Sequence, residues 1–183
     1  MRNVVQFLFV SLDGVAEEPS DWFFETGPEL FDLIGRVTAA QDDVLLGRRT
    51  YDYWAGYWPT SDVEPFASFI NNTPKHVASS TALTTPWANA TRIDGSVEDH
   101  IRALKQQPGR DIGIHGSIEL GRSLIAAGLV DELRLVIPPV IAGHGARLFT
   151  ADAGLPLQRL QLIDLERTEL GTLFLHYRVP IER

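Results

Sequence analysis

The sequence predicts an α/β domain built on a mostly parallel sheet, with antiparallel strands added at one edge. Three observations predict it. Short β-rich runs alternate with helix-spaced segments over about two thirds of the 183 residues. Several of those runs end in glycine and lead straight into a helical segment. The last third reads as two strands around Gly171, a hairpin. No repeat or linker divides the chain, so residues 1–183 are expected to form one domain, at ~100–200 residues per domain.

Each element follows from local pattern. Val4 to Val10 is β-rich, broken only by Gln6, and stops at the turn pair Asp13-Gly14. Glu17 to Pro28 reads as an aromatic-bearing loop. From Glu29 to Gln41 the apolar residues Leu30, Phe31, Leu33, Ile34, Val37 and Ala40 recur at helical spacing. Asp43 to Gly47 is a short buried strand, with Asp42-Asp43 taken as a helix end. Arg48 to Trp54 opens a helix, and Val63 to Asn71 forms another before Pro74. Lys75 to Ser79 is a strand. Val97 to Gln107 is a helix with Ser96 as N-cap and Pro108-Gly109 as stop. Asp111 to Gly116 is a strand, and Ile118 to Ala127 a helix with Gly128 just past its end. Val130 to Ile137 is a strand closed by Pro138-Pro139. Leu160 to Thr168 and Leu173 to Val179 make the hairpin.

Composition removes whole classes of chemistry. There is no cysteine, which excludes disulfide scaffolds, thiol nucleophiles and thiolate metal sites and fits a reducing cytoplasm. A net charge of −8 gains little from counterion release, so nucleic acid is not an expected partner. No apolar run approaches the ~20 residues a membrane span requires, and the N-terminus lacks signal-peptide character. A cytoplasmic location is expected. The five histidines show no ligand spacing, so no metal is expected. Trp54, Tyr57 and Trp58 fit core or lid packing.

In open α/β sheets ligands bind beyond the carboxyl ends of the strands, and three such ends carry suggestive residues. Gly47-Arg48-Arg49-Thr50 offers a close-approach glycine, helix N–H groups, two guanidinium forks and a hydroxyl, all suited to phosphate. A capped helix with solvated arginines is the plainer alternative. Gly116 to Ser123 nearly matches a P-loop but has Arg122 where lysine is required, which argues against an NTPase. Its milder reading is a turn whose N–H groups cradle a pyrophosphate. Ser79-Ser80-Thr81 supplies hydroxyls for phosphate or ribose, or forms a polar turn.

Taken in order, Ser11-Leu12-Asp13-Gly14, Asp43 to Tyr51, Ser79-Ser80, Gly116-Ser117 with Leu120, Val130 to Leu133 and Pro138 to Gly145 resemble the dihydrofolate reductase-like superfamily. Within it, the chain looks closest to stand-alone proteins related to the reductase domain of riboflavin biosynthesis. The resemblance implies a three-layer fold and NADPH as cofactor. Arg48 and Arg49 would hold the 2′-phosphate with help from Ser79 or Ser80. Gly47 and Thr50 would support the pyrophosphate on one side, and Gly116, Ser117, Ile118 and Leu120 on the other. The nicotinamide would lie by Asp13-Gly14, and a small-molecule substrate by Trp22, Leu30 and Phe31. The family tendency is dimeric, and the apolar C-terminal strands suit a homodimer. For the proton, Asp13 is the nearest candidate, with a turn role or bound water as alternatives.

Two departures bear on substrate. Phe31 stands near the position where dihydrofolate reductases carry a carboxylate, which speaks against folate. Val15 follows Asp13-Gly14 where riboflavin-pathway reductases commonly have lysine, and the deaminase zinc motif is absent, which speaks against the pyrimidine ribosyl-phosphate. The expected activity is an NADPH-dependent reduction of a small heterocyclic or carbonyl substrate. The rival expectation is a nucleotide-binding module without turnover, a sensor or assembly protein.

Overall fold

The computed structural model describes residues 1–25, 27–151, 154–155 and 157–180. Its strands are β1 (Val4–Phe9), β2 (Gln41–Gly47), β3 (Lys75–Ala78), β4 (Ala90–Arg92), β5 (Asp111–His115), β6 (Glu132–Ile137), β7 (Gln161–Arg167) and β8 (Leu173–Arg178). Its α-helices are α1 (Pro28–Ala39), α2 (Arg48–Tyr57), α3 (Phe66–Asn72), α4 (Val97–Gln106) and α5 (Ile118–Ala126). The strands form one sheet of order β4-β3-β2-β5-β1-β6-β8-β7. Six of them, from β4 to β6, run parallel. The last two join antiparallel, β8 on β6 and β7 on β8. The fold class read from the sequence is the one observed. Among the described residues no helix is long and apolar enough to cross a membrane.

Both faces of the parallel strands are covered, which is why their sequences are near-continuous apolar runs. Period-2 alternation divides them between two cores. Val44 and Leu46 face Tyr51 and Ala55 of α2 and Ile70 of α3. Leu45 between them faces the opposite layer, where Ile101, Leu104, Leu124 and Ile125 of α4 and α5 meet Val4, Ile112, Ile114 and Leu133. Leu30, Leu33 and Val37 of α1 pack on Phe7, Val136 and Phe174. Ser96 caps α4 by accepting the Asp99 N–H at 3.2 Å. At the end of α5, Gly128 adopts φ +65°, and the Gly128 and Leu129 amides return to the Ile125 and Leu124 carbonyls.

Four differences from the sequence expectation have local causes. Gln41 leaves the helix that was expected to hold it. It starts β2, where its buried amide oxygen contacts His115 Nε2 at 2.7 Å. Asp42-Asp43 is no helix end: both carboxylates lie in β2 and bind the buried Arg2 guanidinium. The helix expected from Val63 starts later, at Phe66, because a residue before proline is disfavoured in the helical region and Pro65 follows Glu64. Strand β4 was not foreseen. Its three residues are too few to show alternation, and pairing with β3 makes the strand.

His115 is sealed between Phe7, Phe66 and Phe69. A Cβ at Gly113 would fall on the Gln41 and His115 side chains, so glycine makes room for this pair. Burial lowers the His115 pKa from 6.5 to about 3. The unfolded chain therefore binds a proton that the folded chain refuses between those pH values. Stability should fall by up to about 1.4 kcal/mol per pH unit below pH 6.5. Urea unfolding at pH 7 and pH 5 checks this, and the His115→Gln variant should flatten that part of the slope.

Candidate functional site

Strands β2 and β5 are neighbours, so the helices that follow them start side by side. Gly47 closes β2 and Gly116 follows β5. The Gly47 N–H donates to Ser117 Oγ at 2.9 Å, and the Thr50 hydroxyl donates to the Gly116 carbonyl at 3.2 Å. Gly47 also sits on Leu120, with space for a Cβ only at contact distance, 3.7 Å. Gly116 has φ +61°, and a Cβ there would come within 2.8 Å of the Trp54 ring. Tight turns thus place the first turns of α2 and α5 next to each other. The unpaired N–H groups and dipoles of two helix starts favour an anion there. Ile118 lies against the cluster of Leu8, Val10, Ala16 and Leu148. Of the glycine-rich segment, Gly121 has a packing role: a Cβ on it would collide with buried Gln6 of β1. Arg122 turns away to Thr150, at 3.1 Å.

The two arginines are held differently. Arg48 is a hub. Its Nε donates to Asp52 at 2.7 Å, and one terminal nitrogen reaches Ser79 Oγ at 3.2 Å, Thr81 Oγ1 at 2.6 Å and the Ala82 carbonyl at 2.9 Å. It ties the start of α2 to the loop after β3. Ser80 is exposed beside it. Arg49 is 79% exposed and donates to Glu17 Oε1 at 2.7 Å. Glu17 Oε2 accepts the Ala146 N–H at 2.9 Å, so this carboxylate links the β1–α1 loop, α2 and the segment after β6. These partners hold its pKa below the ordinary value. Thr81 belongs to the Ser79-Ser80-Thr81 run read as phosphate or ribose hydroxyls, or a polar turn, whereas Asp52 and Glu17 were not singled out as site residues from the sequence. Only the i,i+4 spacing of Arg48 and Asp52 was a readable signal.

The remaining candidates lie in different surroundings. Asp13 accepts from Ser11 Oγ at 2.7 Å and from the Ala142 and Gly143 amides at 2.9 and 3.0 Å. The Ser11 hydroxyl and those amides lower its pKa to about 2. These bonds hold the ionised carboxylate and fasten the loop after β1 to residues 142–143. Trp22 is buried and its indole N–H donates to the Glu17 carbonyl at 3.0 Å. Leu30 is buried in the α1 core, while Phe31, one residue on, opens to solvent at 37% exposure. Helical phase separates them. Trp54, Trp58 and Phe66 form an aromatic wall with ring centroids 4.8–5.8 Å apart. A cavity between α1 and β6–β8 measures about 70 Å³, far below the ~300–1,000 Å³ of ligand sites.

The fold is an α/β domain whose mostly parallel sheet brings two helix starts together at the carboxyl ends of β2 and β5. Residues 2–174 match the RibD C-terminal domain family, and the chain belongs to that family. The uncharacterized protein YyaP of Bacillus subtilis is 30% identical over 156 residues, covering 81% of this chain and 80% of that one. A Shewanella sp. PV-4 protein whose name places it provisionally in riboflavin biosynthesis superposes with a TM-score of 0.78 at 20% identity, covering 98% and 99% of the two chains. A pyrimidine reductase-like protein of Corynebacterium diphtheriae superposes with a TM-score of 0.72 at 15% identity, covering 99% and 93%. Family membership supports a reductase role.

The Gly47–Ser117 bond has a measurable consequence. Ser117→Ala leaves the half-buried Gly47 amide without its acceptor, and should cost about 1 kcal/mol in denaturant unfolding.

Proposed function

We propose that the protein is an NADPH-dependent reductase acting on a small heterocyclic or carbonyl substrate. The observation that carries this reading is the junction of two helix starts through Gly47 and Ser117, with Arg48 and Arg49 at its rim. The donor set fits the dinucleotide. The N–H groups of the first turns of α2 and α5 suit a pyrophosphate, with the Thr50 hydroxyl beside them exchanging the Gly116 carbonyl for phosphate and Ser117 holding the two turns together. Arg48 is already fixed by Asp52, Ser79 and Thr81, so little side-chain freedom is lost when it meets a 2′-phosphate. Ser80 adds an exposed hydroxyl, and Arg49 exchanges Glu17 for phosphate.

NADPH, when bound, supplies the hydride. The chain orients the reacting partners. Asp13 holds the loop after β1 against residues 142–143 and keeps Gly14 in its turn, at φ +88°. Ile118 and Leu120 pack the start of α5 on the sheet and fix its direction. The second reading keeps these contacts without turnover. The commitment of Asp13 to its loop favours it, because that removes the nearest proton donor.

A second copy of the chain is the partner assigned to the open edge. Two cross-strand rows, Leu133–Tyr177–Leu162 and Leu135–Leu175–Leu165, run to β7, where Leu162 and Leu165 are 50% and 53% exposed. A free edge strand can pair with its own copy about a two-fold axis. Light scattering at micromolar concentration should report a dimer, and Leu165→Lys should yield a monomer.

Calorimetric titration tests the cofactor reading. NADPH should bind at least tenfold more tightly than NADH, a difference of ~1.4 kcal/mol. Arg48→Ala or Arg49→Ala should erase most of that gap. Absence of binding by either nucleotide overturns the reading, and steady NADPH oxidation with any substrate overturns the module without turnover.

A further inference from the structure

Asp43 of β2, His76 of β3 and His100 of α4 form a line of polar contacts from the sheet to the helix that covers it. Asp43 Oδ1 meets His76 Nε2 at 2.7 Å, and His76 Nδ1 meets His100 Nε2 at 3.0 Å. The two histidines are 24 residues apart, so spacing along the chain does not reveal the pair. Strand pairing and the docking of α4 create it.

The protons decide what such a pair can do. Asp43 accepts the Nε2–H of His76, which leaves His76 Nδ1 as a bare lone pair. A neutral His100 presents its Nε2 to that lone pair as a donor in one tautomer and as a second lone pair in the other. The first arrangement is a plain hydrogen bond. The second is a pair of ligand nitrogens. The rings are not aligned nitrogen to nitrogen: their centroids are 4.9 Å apart, less than 3.0 Å plus two ring radii, and their planes cross at 52°. With metal–nitrogen bonds of ~2.0–2.1 Å, nitrogens 3.0 Å apart subtend about 91–97° at a shared ion. That angle belongs to tetragonal or octahedral coordination and is too narrow for tetrahedral zinc.

The surroundings suit a cation. A carboxylate on the far nitrogen of a ligating histidine fixes its tautomer and raises the basicity of the ligating nitrogen. Asp43 is in that position, and its Oδ2 is held by Arg2 at 2.7 Å. Arg2 is itself shared between Asp42 and Asp43, so one guanidinium faces two carboxylates. Arg92 of β4 pairs with Asp94, and Arg102 and Lys105 of α4 pair with Asp99 and Asp131. The His76 side chain is 19% exposed and His100 is half-buried, which leaves the pair open to solvent.

We propose that His76 Nδ1 and His100 Nε2 are adjacent ligands of a divalent transition-metal site suited to Ni²⁺ or Cu²⁺, with water in the remaining positions. Asp43 is its positioning residue. The bound ion clamps α4 to β3. The site is built from other residues than the Gly47–Ser117 junction and does not depend on the reductase reading.

The probes are the metals themselves, added as chlorides to tag-free protein near neutral pH. Calorimetry with Ni²⁺ should give one site per chain, and the melting temperature should rise with Ni²⁺ but not with Mg²⁺. Electron paramagnetic resonance of the Cu²⁺-loaded protein should show a tetragonal signal split by two nitrogens. His100→Gln should weaken Ni²⁺ binding at least tenfold and remove one nitrogen from the Cu²⁺ signal. Asp43→Asn should weaken binding about 10–100-fold and keep both nitrogens, as expected of a residue that acts through His76. His76→Gln leaves Arg2 its carboxylates, should also weaken Ni²⁺ binding at least tenfold, and decides the matter if Asp43→Asn does not fold. His144→Ala, in an exposed loop, should change nothing. Absence of stoichiometric Ni²⁺ binding, binding that survives His100→Gln, or a melting temperature indifferent to Ni²⁺ overturns the proposal and leaves the pair a hydrogen bond.

Discussion

The adjacency of β2 and β5 is the constraint on which the candidate site depends. Parallel strands with right-handed crossovers deliver every following helix start to the same end of the sheet. Only neighbours bring two starts close enough to share a ligand. Here the Gly47 N–H and Ser117 Oγ close that gap at 2.9 Å. Glycine at 116 is what permits it, since its backbone has φ +61° and a Cβ there would come within 2.8 Å of the Trp54 ring.

Electrostatics then organises the rim. The chain is acidic overall, at −8, yet two arginines gather at the start of α2. Each is restrained by a partner from a different loop: Arg48 by the loop after β3, and Arg49 by Glu17 of the loop after β1. The carboxylates of that second loop divide the labour. Asp13 and Glu17 fasten it to the segment after β6, and their lowered pKa values follow from those bonds. Glu25 is fastened at one oxygen only.

The opposite end of the sheet is tied together in the same way. Arg2 is buried between Asp42 and Asp43, and Asp43 continues through His76 to His100 at 2.7 and 3.0 Å. These residues come from the segment before β1 and from β2, β3 and α4, and no spacing along the chain connects them.

The features legible in the amino-acid order are short-range ones. Apolar periodicity marked β1, α1 and α4; Ser96 and Gly128 marked helix ends; the glycines and arginines at 47–49 and 116 marked strand ends where an anion could sit. These signals are readable because capping, glycine conformation and amphipathic spacing act within a few residues. Folding sets which strand ends are neighbours, that Gln41 belongs with His115, that Arg48 finds Thr81, that Asp13 is spent on residues 142–143, and that Glu25 meets Thr172. Each of those pairings joins residues far apart in sequence, and their partners are chosen by sheet order and long-range packing, which no local pattern encodes.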